Sequence, residues 1–451
     1  AIAPTCMPLP YMKSAPYWNL SNRLLLTIIS SYLPTALRPV RTHERACKIT
    51  KKYRHIWSFG GLIVILHRKS VYFWKMAIEI KQVTTRCGLR KFVEFGNDLY
   101  RDCENFCPHL VFDEMNTFDV KKNPAHEVCD HILYMAYRDG KPVGRIAGII
   151  NYAANKKWGV KHVRFGWIDF VDDEEVSKAL LDAVAAWGKA KGMDALNGPV
   201  GFTDFDFEGL LIEGYEYLAP MASLYNYPYY VRHIEHYGLV KENDWIEFQI
   251  VPPQEMPERL VRVDKIVRER SHVRVDKVRS CKELVRKYGI EYMDVIDAAY
   301  QKLYNFQPLT QRQKQYYCDM YFPMVNFDFV TIVVNEKNEI VGVGVGMPDI
   351  SQALRKCHGH LFPFGWYHIL KALHAKKMEA FDLLLIAVRP DYQDKGINAV
   401  ILMDQHPYFL KYGIKRVETT SIMETNYKNQ ANWEMLPHKV HKRRRAYIKS
   451  I

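Results

Sequence analysis

The stretch LLLIAVRPDYQDKGINAV occupies residues 383–400. It begins with an apolar run, Leu383–Val388, whose length is typical of a buried strand. A turn follows, with Pro390 at its start and a glycine near its end. From Val400 onward the apolar residues recur at helical spacing. This stretch therefore predicts a strand, a tight glycine-containing turn and a helix, in that order.

A turn of this kind is a candidate anion site. The first backbone N–H groups of a helix have no partner within it, and the helix dipole places partial positive charge there. Gly396 has no Cβ, so a diphosphate can approach the backbone closely. The alternative interpretation is an ordinary strand-to-helix turn in which the glycine relieves backbone strain. We expect Gln393 to shape the turn and the side chain of Lys395 to be available to phosphates. The predicted N–H donors are those of five consecutive residues: Lys395, Gly396, Ile397, Asn398 and Ala399.

The turn resembles the acyl-CoA-binding turn of the GNAT (GCN5-related N-acetyltransferase) superfamily, whose pattern is Gln/Arg-x-x-Gly-x-Gly/Ala after a strand. Gln393 and Gly396 match this pattern, whereas Asn398 departs from it. The resemblance implies acetyl-CoA or another acyl-CoA as cofactor, with its pantetheine arm bonded to the preceding strand. The implied cofactor-binding residues are Ile386, Ala387, Val388, Gln393, Asp394, Lys395, Gly396, Ile397, Asn398, Ala399 and Asn426.

Two halves of the chain repeat one order of elements. Each has helices and a hairpin, then a strand, a helix, a strand, a short helix and a last strand. The hairpins are predicted at 131–150, around Asp139-Gly140, and at 329–346. Because this order is similar to that of GNAT proteins, we expect an α/β protein with two GNAT-like acyl-CoA N-acyltransferase folds in tandem, their mixed central sheets flanked by helices. The predicted domains are 76–251 and 281–451, joined by a connector, 252–280, in which Asp264 to Arg274 is a candidate strand.

The N-terminal half lacks the phosphate turn. After Phe170 the chain continues through Asp172, Asp173, Glu174 and Glu175. Four acids at a helix start stabilise the helix but repel an anion. We therefore interpret 76–251 as structural or acceptor-binding and assign the acyl-CoA to 281–451.

Acyl transfer to an amine needs a base that removes a proton from the ammonium and an acid that protonates the leaving thiolate. Glu418, on the strand after the binding helix, and Glu424, just before the predicted last helix at 426–436, are the candidate bases. The family often has a tyrosine acid in that helix; Tyr427 is the nearest here, about one turn too early. Asn226, Tyr229 and Tyr230 are the candidate acceptor-binding residues, in a polar and aromatic cluster with Asp204 and Asp206. A tight aromatic core is the alternative interpretation of that cluster.

The net charge and the cysteine content argue against a nucleic-acid-binding or metal-binding function. The chain of 451 residues has a net charge of +13, but residues 1–75 hold twelve Lys or Arg and one acid, which leaves +2 for the remainder. The balanced body gives no support to a nucleic-acid surface, and we interpret the basic run Lys439–Arg445 as a solvated turn. The nine cysteines form no complete metal set, so no metal is expected, and they are typical of reduced thiols in a cytoplasmic protein. No apolar run is long enough for a membrane span.

Residues 1–75 differ in character from the rest and are predicted to be an extension outside the domains, with Met76 as a natural start. A targeting segment is the alternative. The function predicted for the whole chain is acyl transfer, in the simplest case of acetyl, from acyl-CoA to a small-molecule or peptide amine. The alternatives are an aminoacyltransferase that uses charged tRNA and a non-catalytic acyl-CoA-binding module.

Overall fold

The computed structural model describes residues 55–59, 62–67, 70–75, 77–321 and 325–451. The predicted extension falls largely on residues 1–54, which lie outside the described residues, so that interpretation stays a prediction. The described chain forms two compact units. The smaller comprises the described residues before Ile80 together with Ala136–Val143. It contains an antiparallel sheet of three strands in the order β1–β2–β3: β1 His55–Phe59, β2 Leu62–His67 and β3 Ser70–Lys75.

Most of the larger unit is a long mixed sheet flanked by helices, a sheet to which Glu79 and Ala136–Val143 of the smaller unit also belong. Its strands are β4 Glu79–Gln82, β5 Cys129–Arg138, β6 Lys141–Asn151, β7 His162–Phe170, β8 Ala195–Gly198, β9 Leu210–Glu213, β10 Val240–Ile250, β11 Arg274–Val275, β12 Val330–Val334, β13 Ile340–Pro348, β14 Ala380–Val388, β15 Arg416–Thr419, β16 Ile422–Met423 and β17 His438–Ser450. The helices described are α1 Arg86–Leu99, α2 Val111–Thr117, α3 Tyr152–Trp158, α4 Glu174–Ala190, α5 Tyr229–His236, α6 Glu258–Arg270, α7 Cys281–Tyr288, α8 Glu291–Tyr300, α9 Gln311–Tyr321, α10 Ser351–Cys357, α11 Gly365–Leu373, α12 Ile397–Tyr412 and α13 Tyr427–Gln430.

The strand order shows that the two halves exchange their last strands. The sheet runs β4–β5–β6–β7–β8 in one half and β11–β12–β13–β14–β15 in the other, in mirrored positions. Between them, β17 lies beside β8 of the N-terminal half, and β10 lies beside β15 of the C-terminal half. The two exchanged strands pair antiparallel with each other along almost their whole length. Each half therefore completes its sheet with a strand from the other.

Opposite charges define the register of the exchanged strands. Glu247 of β10 lies opposite Lys442 of β17, and Asp244 lies opposite Arg445. Arg445 contacts Asp244 with both Nε and Nη2, at 2.8 and 3.0 Å. The basic run of the sequence is therefore the start of a central strand and not a solvated turn, because acids on the neighbouring strands neutralise it.

The connector also differs from its prediction. Residues 264–274 were expected to include a strand, but Glu258–Arg270 form helix α6. Leu260, Val263 and Val267 follow helical spacing and pack beside α12, which explains the difference. The predicted helix at 426–436 is shorter than expected, with α13 confined to Tyr427–Gln430. Within the described ranges, no helix combines the length and apolar character needed to cross a bilayer.

Candidate functional site

Strands β14 and β15 separate part of the way along their length. They pair in parallel only where Ala380–Leu383 faces Arg416–Thr419. Thr420 closes the junction, since its N–H donates to the carbonyl of Leu383 and its hydroxyl to that of Leu384, at 3.3 and 3.0 Å. Beyond this point β14 keeps its pairing with β13 on one side only. The separation leaves the backbone N–H and C=O groups of β14 unpaired along one edge. An extended ligand that carries amides can form hydrogen bonds with this edge, as an added strand would.

The predicted turn stands at the end of this edge and opens α12. The N–H groups of Gly396, Ile397 and Asn398 have no acceptor among the described residues. The N–H groups of Lys395 and Ala399 already donate to carbonyls within the turn, at 3.4 and 2.9 Å. Three of the five predicted donors are therefore free for an anion, and two are not.

The conformation of Gly396 agrees with the alternative interpretation, in which the glycine relieves backbone strain in the turn. Its φ is +81°, a left-handed conformation that favours glycine. A Cβ at this position would lie 2.9 Å from Cγ2 of Val267 in α6. The glycine thus serves the backbone conformation and the packing of α6, and its contribution to phosphate clearance stays a prediction.

Side chains brace the turn. Gln393 Nε2 donates to the carbonyl of Val388 at 3.1 Å and joins the turn to the end of β14. Asp394 pairs with Lys428 at 2.6 Å, and the ammonium of Lys395 lies over the ring of Tyr392. The carboxylate nearest to the free amides is therefore partly neutralised.

Asn398, the residue that departs from the GNAT pattern, is held to one side. Its Nδ2 donates to Asn432 Oδ1 at 3.0 Å, whereas its own Oδ1 is buried without a partner among the described residues. The indole N–H of Trp433, next to Asn432, is likewise buried and unpaired there. Two polar groups beside the turn are thus free to contact a ligand.

A cavity of about 910 Å³ extends from this turn along the open edge of β14. Its volume is near the upper end of the roughly 300–1,000 Å³ typical of small-molecule sites. It has an apolar arm and an acidic end. The apolar arm is lined by Leu284, Tyr292, Met293, Ile296, Ala299, Val330, Ile332, Val343, Val345 and Leu385. The acidic end is lined by Asp113, Glu114, Asp204, Asp206 and Glu208.

The carboxyls of the acidic end have raised pKa values. Burial raises the pKa of Glu114 to about 7, of Asp204 to about 7 and of Asp206 to about 6. Burial, with the charge of Asp204 added, raises the pKa of Glu208 well above its usual range. Glu114 is held by Trp167, whose indole N–H donates to its Oε2. Groups that titrate near neutrality can accept and release protons under ordinary conditions.

Glu418, a predicted base, does not line the cavity. It is buried with its Oε2 3.2 Å from His441 Nε2 and 2.9 Å from Lys442 Nζ. Burial alone would raise its pKa, but these two partners lower the pKa to about 2. A carboxylate so strongly held in its charged form is a weak base, so the geometry favours a structural role for Glu418.

The other two predicted catalytic residues lie outside the cavity lining. Glu424 pairs with Lys241 at 2.5 Å and with Arg443 at 3.3 Å. Tyr427 is 72% exposed. Neither position favours the catalytic role given to it from the sequence. Asn426, in contrast, lines the cavity, and its Oδ1 caps α13 by accepting from the N–H of Asn429.

The predicted acceptor residues are part of the N-terminal core. Both polar atoms of the Asn226 side chain bond to the backbone of Leu211. The Tyr230 hydroxyl accepts from the N–H of Phe170, and the Tyr229 hydroxyl donates to the carbonyl of Phe170. None of the three lines the large cavity, because these bonds hold Asn226 against β9 and the two tyrosines at the end of β7. The geometry therefore favours the alternative interpretation, an aromatic core, although Asp204 and Asp206 of the same predicted cluster do line the cavity.

The remaining predicted residues have mixed positions. Ile386 and Val388 line the cavity, whereas Ala387 points into the core beneath α8. Sequence reasoning missed Glu114 and Glu208. Glu208 could have been predicted from the sequence, because it continues the alternation of acids at Asp204 and Asp206. Glu114 could not, because it is in a short helix with no motif around it. No group of three His, Cys, Asp or Glu within the described ranges is placed to hold a metal.

Comparisons with known proteins give distant relatives. No family model matches the chain. It is 29% identical to Protein YghO of Escherichia coli K12 over 382 residues, which cover 82% of this chain and 95% of that protein. It is 23% identical to the bacterial ceramide synthase of Caulobacter vibrioides over 363 residues, or 77% of this chain and 91% of that one.

Solved structures give the fold. A GCN5-related glucosamine N-acetyltransferase region of a fungal multi-domain β-N-acetylglucosaminidase aligns with a TM-score of 0.50 at 9% identity. The alignment covers 85% of this chain and 39% of that longer one. Together with the repeated strand order, this similarity shows that the chain has the fold of the GCN5-related N-acetyltransferases, present in two copies.

Proposed function

We propose that this protein is an N-acyltransferase that transfers an acyl group from acyl-CoA to an amine. One observation carries the proposal: a single cavity joins three free N–H groups at the start of α12, the open edge of β14 and a set of carboxyls that titrate near neutrality. The amides of Gly396, Ile397 and Asn398 would bind the diphosphate of the cofactor. The edge of β14 would bond the amides of its pantetheine arm.

The acidic end supports an amine acceptor. Carboxylates attract an ammonium group, and a carboxylate with a pKa of about 7 can remove its proton at neutral pH. We assign this base role to Glu114, because the indole N–H of Trp167 fixes its orientation. The side chains of Asp204 and Glu208 make no hydrogen bond or ion pair within the described part of the chain, which leaves Asp204 to attract the ammonium and Glu208 to accept a hydrogen bond from it.

The transfer then follows ordinary thioester chemistry. The ammonium gives a proton to Glu114, the neutral nitrogen attacks the thioester carbonyl, the C–N bond forms and the C–S bond breaks. The nitrogen also loses its second proton to become the amide nitrogen, and this proton replaces the one that the acid gives to the thiolate. The thiolate must then be protonated. Tyr300 lines the cavity, and its hydroxyl has no hydrogen-bond partner among the described residues. Burial raises its pKa, so it keeps its proton until the thiolate forms, and we assign it the role of acid.

The apolar arm supports a long acyl chain in place of the acetyl group expected from the sequence. One face of α8 lines the arm from Tyr292 to Tyr300, about 12 Å of helix. Across from it, Val330, Val345 and Leu385 form one row on three neighbouring strands. An acetyl group would leave this arm empty. Each buried methylene contributes about 0.8 kcal/mol, so a fatty chain fits the arm better.

The acceptor we propose is a long-chain amino alcohol. A ceramide is such an amine carrying an N-acyl chain, and the similarity to the Caulobacter ceramide synthase is compatible with this class. The carboxyls of the acidic end suit its ammonium group. They do not suit a polyanion, which disfavours the alternative that uses charged tRNA.

A thiol-release assay tests the proposed function. Purified protein is mixed with acyl-CoA of increasing chain length and with a long-chain amino alcohol, and free CoA thiol and N-acyl product are measured. We expect release that requires the amine and increases with acyl length. Binding of acyl-CoA without release for any amine would instead support the non-catalytic module. Failure of every acyl-CoA to bind would refute the proposal.

A further inference from the structure

The segment 351–378 has an unusual composition. It contains five Lys or Arg and four His, and no Asp or Glu. It includes α10, α11 and the loop between them. In a chain whose body is nearly neutral, this is a concentrated positive region.

The same segment exposes large apolar side chains. Phe362 is 81% exposed and Phe364 is 70% exposed, both in the loop before α11. Trp366, Tyr367 and Leu370 of α11 are each about half exposed. We call these five residues the aromatic face. Contiguous exposed apolar residues of this size mark a surface that contacts a partner or a membrane.

The aromatic face is held in place from beneath. Ile369 and Leu373, on the other side of α11, are buried. The indole N–H of Trp366 donates to the carbonyl of Pro363, which ties the loop to the start of the helix. The exposure of the face therefore belongs to an ordered helix and loop.

Three lysines of the same segment have no ionic partner among the described residues. Lys356, Lys371 and Lys376 are exposed, and none makes an ion pair with another described residue. A second copy of this segment would bring like charges together, whereas an anionic lipid surface would neutralise them. Trp and Tyr beside Lys are also typical of side chains at a membrane–water interface.

The segment contacts the helix that carries part of the acidic end of the cavity. The carbonyl of Gly359, in the loop of the segment, accepts from the N–H of Val111 at 3.0 Å. Val111 begins α2, whose Asp113 and Glu114 line the cavity. Phe112 of the same helix is 57% exposed. A surface bound by this segment would therefore be next to α2.

We propose that the aromatic face and its lysines dock the protein on an anionic bilayer surface. The phenylalanines insert among the acyl chains near the headgroups, and the lysines contact lipid phosphates. The association is interfacial, since no described helix has the length to span a membrane. The proposal stands on the surface alone and holds whether or not the protein transfers acyl groups.

Vesicle flotation with the full chain tests the docking. The probes are vesicles of phosphatidylcholine alone and of phosphatidylcholine with phosphatidylglycerol. We expect binding to the anionic vesicles only. Phe362→Ser with Phe364→Ser should reduce it at least about tenfold, because two exposed apolar side chains no longer insert. Lys371→Glu with Lys376→Glu should reduce it at least about fivefold.

A matched control replaces exposed valines elsewhere. Val120 and Val240 are 66% and 61% exposed and lie outside the segment, so Val120→Ser with Val240→Ser should bind vesicles as the native protein does. Equal binding to both kinds of vesicle, or full binding by the phenylalanine variant, would overturn the proposal. So would a phenylalanine variant that dissociates a native dimer in sedimentation analysis and still floats, since the face would then be an interface between copies.

Discussion

At the scale of single residues, Glu114 and Glu418 are buried carboxyls with opposite properties. Glu418 is next to His441 and Lys442, which lower its pKa to about 2. Among the described residues, Glu114 accepts a hydrogen bond only from an indole N–H, and burial raises its pKa to about 7. The sequence favoured Glu418 because it follows the predicted binding helix. It could not show that the exchanged strand β17 brings His441 and Lys442 against it.

Replacing Glu114 tests the base. We expect Glu114→Gln to lower kcat by about 10²–10⁴-fold, with little change in the dissociation constant for acyl-CoA. The native rate should increase as the pH rises through about 7, because the carboxyl is protonated and inactive below it, and the variant should lose this increase. A thiol-release assay at a series of pH values measures kcat and its pH dependence for the native protein and the variant. Glu424→Gln is the control, and a larger loss in that variant than in Glu114→Gln would restore the sequence-based assignment.

Replacing Glu418 tests its structural role. A pKa lowered from 4.5 to about 2 corresponds to about 3 kcal/mol of unfolding free energy. This stabilisation is present above pH 4.5 and is lost as the pH falls towards 2. We expect Glu418→Gln to lower the unfolding free energy at neutral pH by about that amount, because buried Lys442 loses its nearer carboxylate and keeps only Glu247, at 3.9 Å, as an ionic partner. Urea unfolding measures it.

The exposed pair Glu379 and Lys415 provides the control for that experiment. Glu379→Gln should leave the urea midpoint unchanged, because solvent screens an exposed pair. An equal loss in both variants would mean that the surroundings of Glu418 do not matter.

At the scale of elements, the strand–turn–helix at 383–400 was predictable because its signals are local. An apolar run, a proline and a glycine fix β14, the turn and the start of α12. The open edge of β14 was not predictable in detail, since it depends on where β15 ends. Helix α6 was missed because its many charges obscured three apolar residues at helical spacing.

Helix α8 offers a test of the apolar arm. Ala299 lines the cavity and its neighbour Ala298 does not. We expect Ala299→Phe to fill part of the arm, so that activity falls at least about tenfold with long acyl-CoA and little with acetyl-CoA. Ala298→Phe is the matched control. If the variant instead changes the preferred length of the amine, the arm holds the acceptor chain and not the acyl chain.

At the scale of the whole molecule, the exchanged strands β10 and β17 join the two halves into one sheet. The repeat of element order predicted two folds, and the comparisons confirm this fold. The exchange itself was not predictable, because pairing a strand with its own half or with the other half gives the same sequence pattern. The charge pairs that support the exchange are Glu247 with Lys442 and Asp244 with Arg445. They can be recognised as pairs only when the two strands are known to be neighbours.

The exchange predicts that the halves stay together when the connection is cut. Gln254 and Glu255 lie in an exposed loop between β10 and α6, where a protease site can be inserted. After cleavage we expect the two fragments to elute together in size-exclusion chromatography and to separate only in denaturant. An uncut chain with the same insertion is the control. Separation of the fragments in native buffer would contradict the strand order described.

The most direct test of the account is calorimetric titration of a long-chain acyl-CoA into the native protein and into Asn398→Asp. The change places a carboxylate of nearly equal shape in the first turn of α12, where it favours the helix but repels a diphosphate. We predict binding by the native protein and at least tenfold weaker binding by the variant. The variant also loses the hydrogen bond that Asn398 Nδ2 donates to Asn432, so its melting temperature is measured to show that it is folded under the conditions of the titration. Gln352→Glu, the same change at the start of α10, should bind normally. Equal affinity of the native protein and Asn398→Asp would show that the diphosphate does not bind at this helix start, and the assignment of the donor site would be wrong.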